Sequence, residues 1–295
     1  MVRFFRRPKV GLALSGGGAR GLAHIGVLKV LEREGIPIDF LAGTSMGGVV
    51  AAGYAAGLSP EFMEQEALRM GRLRKLVGLF DLALPKAGLV EGRKIEAYLA
   101  QHLGEMTFDD LRIPLALVAV DLVTGEEVVL RSGSVIEAVR ATISLPGIFA
   151  PFRKDGYLLI DGGVLNPLPA DVVRHIGADV VIAVNVAIAL EGLPRLLEAE
   201  EQGLPLTQIP LIIETLHRTV GIMENRISAQ KLQEARPEVL IRPTIDNSIT
   251  LFTGFHRAAE CIAAGEEAAT VALPEIKSAL RPHFRPSLSR RERGA

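Results

Sequence analysis

Short aliphatic runs alternate with longer stretches of helical periodicity along this chain. The runs fall at residues 10–14, 40–42, 115–120, 157–160, 180–186 and 239–241. Several show no in–out alternation, the pattern of strands covered on both faces. Between them, apolar spacing predicts helices over 19–34, 48–56, 60–76, 92–103, 135–142 and 169–176. Such alternation predicts an α/β fold with a mostly parallel central sheet and helices on both faces. Residues 125–130 read as an antiparallel hairpin return on the preceding strand. No internal repeat, low-complexity segment or linker divides the chain, so one domain is expected.

Two segments break this rhythm. Residues 77–88 are apolar but punctuated by Gly and Pro, which argues against a regular element. Residues 206–232 predict a long helix, with Ile209, Ile212, Leu216, Val220, Met223 and Ile227 at helical spacing. Glu214 and Arg218 can pair at i,i+4 on another face. That apolar stripe suits ordinary core, a homodimer contact or, less commonly, a lipid-binding lid.

Composition narrows the class. Nearly half of the 295 residues are apolar, enough to bury one large core, and the net charge of −1 gives nucleic acid no foothold. Basic residues concentrate only in the end segments, 1–8 with Lys9, and 281–295. They read as solvated tails, or as weak attractors of anionic lipid head groups at a membrane periphery. A lone cysteine, Cys261, gives no support to an oxidising destination. The uncharged run 40–59 has the length of a membrane span, but five of its positions are glycine. It reads as a buried strand and helix, so a soluble, cytoplasmic protein is expected.

The chemistry gathers at three glycine-rich turns, each following a predicted strand. Gly43-Thr44-Ser45-Met46-Gly47 joins a strand to a small-residue helix, an arrangement that lifts a serine hydroxyl to the top of a parallel sheet. Ser15-Gly16-Gly17-Gly18-Ala19-Arg20-Gly21 contains a formal G-x-G-x-x-G, with Asp39 at a suitable distance for a dinucleotide site. Asp39, however, begins its strand, which places it at the wrong end of the sheet to meet a ribose. The loop suits an anion nest better: the N–H groups of Gly16, Gly17 and Gly18, with that of Met46, could hold an oxyanion. Arg20 either adds positive field or orders the loop. Asp161-Gly162-Gly163 places a carboxylate at a strand's end, as a base for Ser45 or as an ordinary turn.

A Ser-Asp-His triad competes with that pairing, because His175, His217, His256 and His283 all follow Asp161. None has a supporting local context, and His24 comes too early in the chain. No ligand spacing for a metal occurs, and no cofactor is expected.

Together, residues 15–21, 43–47 and 161–163 resemble the patatin-like phospholipases, especially small bacterial members related to the catalytic domain of neuropathy target esterase. The segment 141–151 (Ala-Thr-Ile-Ser-Leu-Pro-Gly-Ile-Phe-Ala-Pro) resembles the stretch preceding that family's aspartate. The match runs over about 9–186 and more loosely to 273, implying a patatin-like domain over 9–273. The resemblance implies a Ser45–Asp161 dyad without histidine, an oxyanion hole lined by Gly16, Gly17 and Gly18, and a fatty-acyl ester of a phospholipid or lysophospholipid as substrate. Arg20, Gly21, Gly43, Gly47, Gly162 and Gly163 support these motifs. Two other readings remain: a lipid-sensing or regulatory binding protein with little turnover, and a nucleotide-binding α/β protein.

Overall fold

The computed structural model describes residues 7–71, 90–188, 211–249 and 254–281, with the side chains of 211–218 outside the description. The predicted segment 77–88 and nearly all of the two basic tails lie outside it. In chain order the described elements are β1 (Val10–Leu14), α1 (Ala23–Arg33), β2 (Phe40–Thr44), α2 (Met46–Ala55), α3 (Pro60–Met70), α4 (Arg93–Leu103), β3 (Leu115–Asp121) and β4 (Glu127–Leu130). There follow α5 (Val135–Thr142), β5 (Phe152–Lys154), β6 (Tyr157–Asp161), α6 (Ala170–His175), β7 (Val180–Val184), α7 (Leu211–Ala235), β8 (Val239–Ile241) and α8 (Ala258–Ala279).

β8, β7, β1, β2 and β3 lie side by side in parallel, while β4, β5 and β6 are antiparallel additions. β1, β3 and β7 are buried along their whole length. That is why their sequences run apolar without alternation. Their two faces nevertheless differ. Leu12, Leu14, Leu41, Leu117 and Ile182 join the core beneath α1, α2 and α8, whereas Ala13, Ala42, Ala116 and Ala183 join a second core with Val172 and Val173 of α6 and Ala235 of α7. α8 lies against α1 at a close crossing, where Gly26 meets Ile262 O and Gly265 meets Ala23 O with no room for a side chain.

The registers around β3 determine the geometry of the site. Val118 pairs with Thr44 of β2 and also with Val129 of β4, so those two strands flank β3 on opposite edges. Ala119 pairs with Val128 of β4 and with Asp161 of β6, which puts β6 on the same edge as β2. β2 runs parallel to β3 and β6 runs antiparallel to it. The two strands therefore meet carboxyl end to carboxyl end along one edge of β3.

Most predicted elements appear within a residue or two of their expected bounds. Residues 18–22 form a 3₁₀ turn before α1 rather than its first turn. β5 and the Ala-rich α8, which contains Pro274, were not singled out by apolar spacing. The long helix is present over Leu211–Ala235, with residues 206–210 and the side chains of Ile212 and Leu216 lying outside the description. The described part of its stripe is not the packed face. Met223 is 49% exposed and Val220 and Ile227 are only partly covered, while Ser228 and Ala235 are buried and Leu232 packs on the core. Among the described residues no helix is long and apolar enough to cross a membrane.

Candidate active site

β2 ends at Thr44 and α2 begins at Met46, so Ser45 alone turns the chain. Its φ of 53° and ψ of −126° lie where residues with side chains are rarely found. Surrounding bonds hold it there. Ser45 N–H donates to Thr142 Oγ1 at 3.0 Å, the Thr142 hydroxyl donates to Val118 O, and the Thr44 hydroxyl donates to Asn166 O at 2.8 Å. A side chain on Gly47 would collide with the carbonyl oxygens of Leu14 and Ser15, and one on Gly43 would stand 2.7 Å from Gly47 O. The elbow can therefore close only with glycine at both positions. Ser45 makes no side-chain cap bond to α2, which leaves its half-exposed hydroxyl available.

Asp161 ends β6 and is 1% exposed. Its N–H donates to Ser144 O at 3.0 Å, within the segment 141–151, and its Oδ1 accepts the Gly163 N–H at 2.8 Å. Gly162 packs directly on Val118 O, which holds the turn against β3. Burial pushes the carboxyl up to about 6, against the Ser45 hydroxyl and the Gly163 N–H, which favour its charged form. Oδ2 completes no hydrogen bond of ordinary geometry. Ser45 and Asp161 thus stand close enough for the serine hydroxyl to favour the charged carboxylate.

The first glycine loop approaches from β1. Gly16 lies beside Ser45, where an added Cβ would sit 3.4 Å from the serine Cβ. Its N–H is already given to Pro167 O at 2.9 Å. Gly16 is therefore removed from the three expected oxyanion donors. The N–H groups of Gly17, Gly18 and Met46 donate to no acceptor among the described residues. Gly18 has φ 54°, and Gly21 packs on the Met46 side chain. Arg20 is 4% exposed and donates to Val186 O at 2.7 Å, Asp246 O at 3.0 Å and Ile249 O at 3.2 Å. Of its two readings, the guanidinium orders the loops around the site.

An apolar cavity of about 290 Å³ opens beside Ser45 and runs between α2, α3 and α4. Val49, Met63, Ala67, Ile95, Leu99 and Phe149 line it. Its few polar members are Glu66, Tyr98 and His102. The Tyr98 hydroxyl donates to Glu66 Oε2 at 2.7 Å, and His102 Nε2 lies 3.5 Å from the same oxygen. Tyr98 and His102 sit at i,i+4, the one signal the sequence offered. Their shared partner on α3 appears only once the two helices pack.

No described histidine bonds Ser45. His24 is fully buried, its Nε2 donates to Ser15 O at 2.8 Å, and burial lowers its pKa to about 4. His175 and His256 are exposed, and the side chains of His217 and His283 lie outside the described residues. Asp39 is committed elsewhere: it receives both guanidinium arms of Arg7, at 2.6 and 2.8 Å, and the Val10 N–H at 2.8 Å. That end of the sheet is opposite the glycine loop, so the dinucleotide fingerprint lacks its acid.

One residue of the site escaped sequence reasoning entirely. Glu224 of α7 reaches Gly163, close enough that a Cβ there would stand 2.5 Å from its Oε1 and 3.2 Å from Asp161 Oδ1. Burial and the charge of Asp161 push its pKa up to about 8. Helical periodicity assigns an acidic residue to the outer face, and nothing local signals otherwise.

The family model for patatin-like phospholipase matches residues 12–174, which span all three glycine motifs. An uncharacterized NTE family protein of Mycobacterium tuberculosis is 40% identical over 186 residues, 63% of this chain and 51% of that one. The patatin-like phospholipase domain-containing protein 6 of Homo sapiens is 38% identical over 190 residues, 63% of this chain but 14% of its own length. This chain thus corresponds to about half, or much less, of the relatives it matches. Among solved structures, VipD from Legionella pneumophila aligns with a TM-score of 0.50 at 15% identity, covering 93% of this chain and 67% of that one, a likeness of fold. With more than half of its length matched by the family model, the chain belongs to the patatin-like phospholipase family.

Proposed function

We propose that this chain is a serine lipid acyl hydrolase that cleaves fatty-acyl esters of phospholipids or lysophospholipids through Ser45, Asp161 and an acyl-enzyme. The observation that carries the reading is the end-to-end meeting of β2 and β6 on one edge of β3, at the mouth of an apolar cavity. A nucleophile, a buried carboxylate and a slot for hydrocarbon then share one place.

In the first half-reaction Asp161 takes the Ser45 proton as Oγ attacks the ester carbonyl, whose oxygen becomes negative. The N–H groups of Gly17, Gly18 and Met46, which have no acceptor among the described residues, would hold that oxyanion, aided by the positive end of α2. The tetrahedral intermediate collapses, and Asp161 returns its proton to the departing alkoxide. Water then attacks the acyl carbonyl as Asp161 accepts its proton. When this second tetrahedral intermediate collapses, Asp161 returns the proton to Ser45 Oγ and the acyl chain leaves as a fatty acid. A carboxyl poised near 6 suits this double duty: it is ionised at neutral pH yet basic enough to hold a proton in passing.

The test is covalent labelling with a fluorescent fluorophosphonate, followed by mapping of the labelled peptide. Labelling confined to Ser45 and absent from Ser45→Ala supports the reading. A folded protein that takes no label would overturn it, and a lipid-binding role without turnover would lead instead.

A further inference from the structure

We infer that Glu224 is a positioning residue of the Ser45–Asp161 pair, acting from α7 through the Gly163 backbone that holds Asp161 Oδ1. This inference rests on the function proposed above. Gly163 is the shared point of contact. Its N–H holds one carboxyl, and its Cα faces the other with no space for a side chain between them. Two acidic side chains flanking one buried backbone position are costly unless one is neutral, so such a pair persists where it serves a purpose.

The surrounding charges leave Asp161 as the group that Glu224 senses. From β6 and its turn only Asp161 faces it. Asp171 of α6 and Glu127 of β4 are both within reach of Lys231, two turns further along α7, at 2.9 and 3.4 Å. These carboxylates are thereby balanced, whereas Glu224 has no such cation among the described residues. At neutral pH it is protonated, consistent with its pKa near 8.

The consequence follows from where charge moves during acylation. Negative charge leaves Asp161 and appears on the substrate oxyanion, beyond Ser45 and farther from Glu224. When Glu224 ionises it repels the charge on Asp161 more than the charge on the oxyanion. Asp161 becomes a stronger base and the step speeds up. Glu224 never touches the reacting atoms in this scheme.

The experiment follows the rate of fluorophosphonate labelling of Ser45 against pH, in the wild-type chain and in Glu224→Gln. The uncharged probe avoids any effect of Glu224 on binding an anionic head group. The wild type is expected to show two rises, the first near pH 6 and a second of about three- to tenfold near pH 8. Glu224→Gln keeps the first and loses the second. Glu224→Leu makes the same comparison if the glutamine variant fails to fold, and a role confined to packing α7 would change melting temperature without removing the second rise. Superimposable profiles, with Ser45 labelled in both proteins, overturn the inference while the hydrolase reading stands. Absence of labelling in the wild type overturns both.

Discussion

Thr142 holds Ser45 in its strained turn: its Oγ1 accepts the Ser45 N–H at 3.0 Å while its own hydrogen goes to Val118 O of β3. One buried hydroxyl thereby ties the Ser45 backbone to the strand along which Asp161 also ends. Replacing Thr142 by Val keeps the shape and leaves two buried polar groups unpaired, a loss of about 1–3 kcal/mol. Ser45 would then relax from φ 53°. Thr142→Val is expected to lower the melting temperature and reduce Ser45 labelling, whereas Thr142→Ser preserves both. Equal labelling of the valine and serine variants would show that the bond does not position Ser45.

Asp161 couples activity and stability in opposite directions. Its folded pKa of about 6 lies above the ordinary 3.8, so its burial as a charged group opposes folding. Below about pH 4 the folded and unfolded chains both carry it protonated and the penalty is absent; it grows as pH rises and is complete above about 6, reaching roughly 3 kcal/mol. Asp161→Asn removes both the penalty and the base. At pH 7.5 that variant is expected to melt at a higher temperature than the wild type, and to acylate at least about 100-fold more slowly. Chemical denaturation at pH 4.5 and 7.5 checks the sign, since the stability gain shrinks at the lower pH.

Arg20 is a buried cation whose partners are backbone carbonyls of two loops, at Val186 and at 245–249. Burial lowers its pKa, yet a guanidinium stays charged far above neutrality. A lysine cannot present the same fork of donors and leaves several buried carbonyls unpaired. Arg20→Lys is expected to cost about 2–4 kcal/mol. Urea denaturation measures that loss, and limited proteolysis locates it at the 245–249 loop.

On the proposed function, the cavity between α2, α3 and α4 would limit the length of acyl chain that the site accepts. Ala67 lies in its wall on α3, where a larger side chain takes volume from the slot without touching Ser45 or Asp161. Ala67→Phe is expected to shift preference toward shorter acyl chains, with kcat/KM for long-chain esters falling by about tenfold or more relative to short ones. A series of esters of increasing chain length reads this directly. An unchanged preference would place the acyl chain outside this cavity.

The chain's own pattern determined a good deal. Runs apolar on every residue, such as those of β1, β3 and β7, mean strands covered on both faces, and they alternate with helices as a parallel sheet requires. The three glycine turns were equally legible, because backbone that must pass close to other backbone admits little else. Gly43, Gly47 and Gly162 each face atoms that leave no room for a side chain. The placement of Asp39 at the start of its strand already argued against a dinucleotide site.

Tertiary structure decided what depends on distant parts of the chain. That β6 returns antiparallel, on the same edge of β3 as β2, is a matter of register, and it is this that brings residue 161 opposite residue 45. Gly16 carries the same glycine signature as Gly17 and Gly18, yet its N–H is spent on Pro167, a partner no local pattern could name. Over its described side chains the inner face of α7 is set by what it packs against, so Met223 of the apolar stripe faces outward while Glu224 reaches Gly163. Local sequence dictates backbone conformation and burial tendency through sterics and periodicity. Which donor is occupied and which carboxyls become neighbours is settled only when elements far apart in sequence pack together.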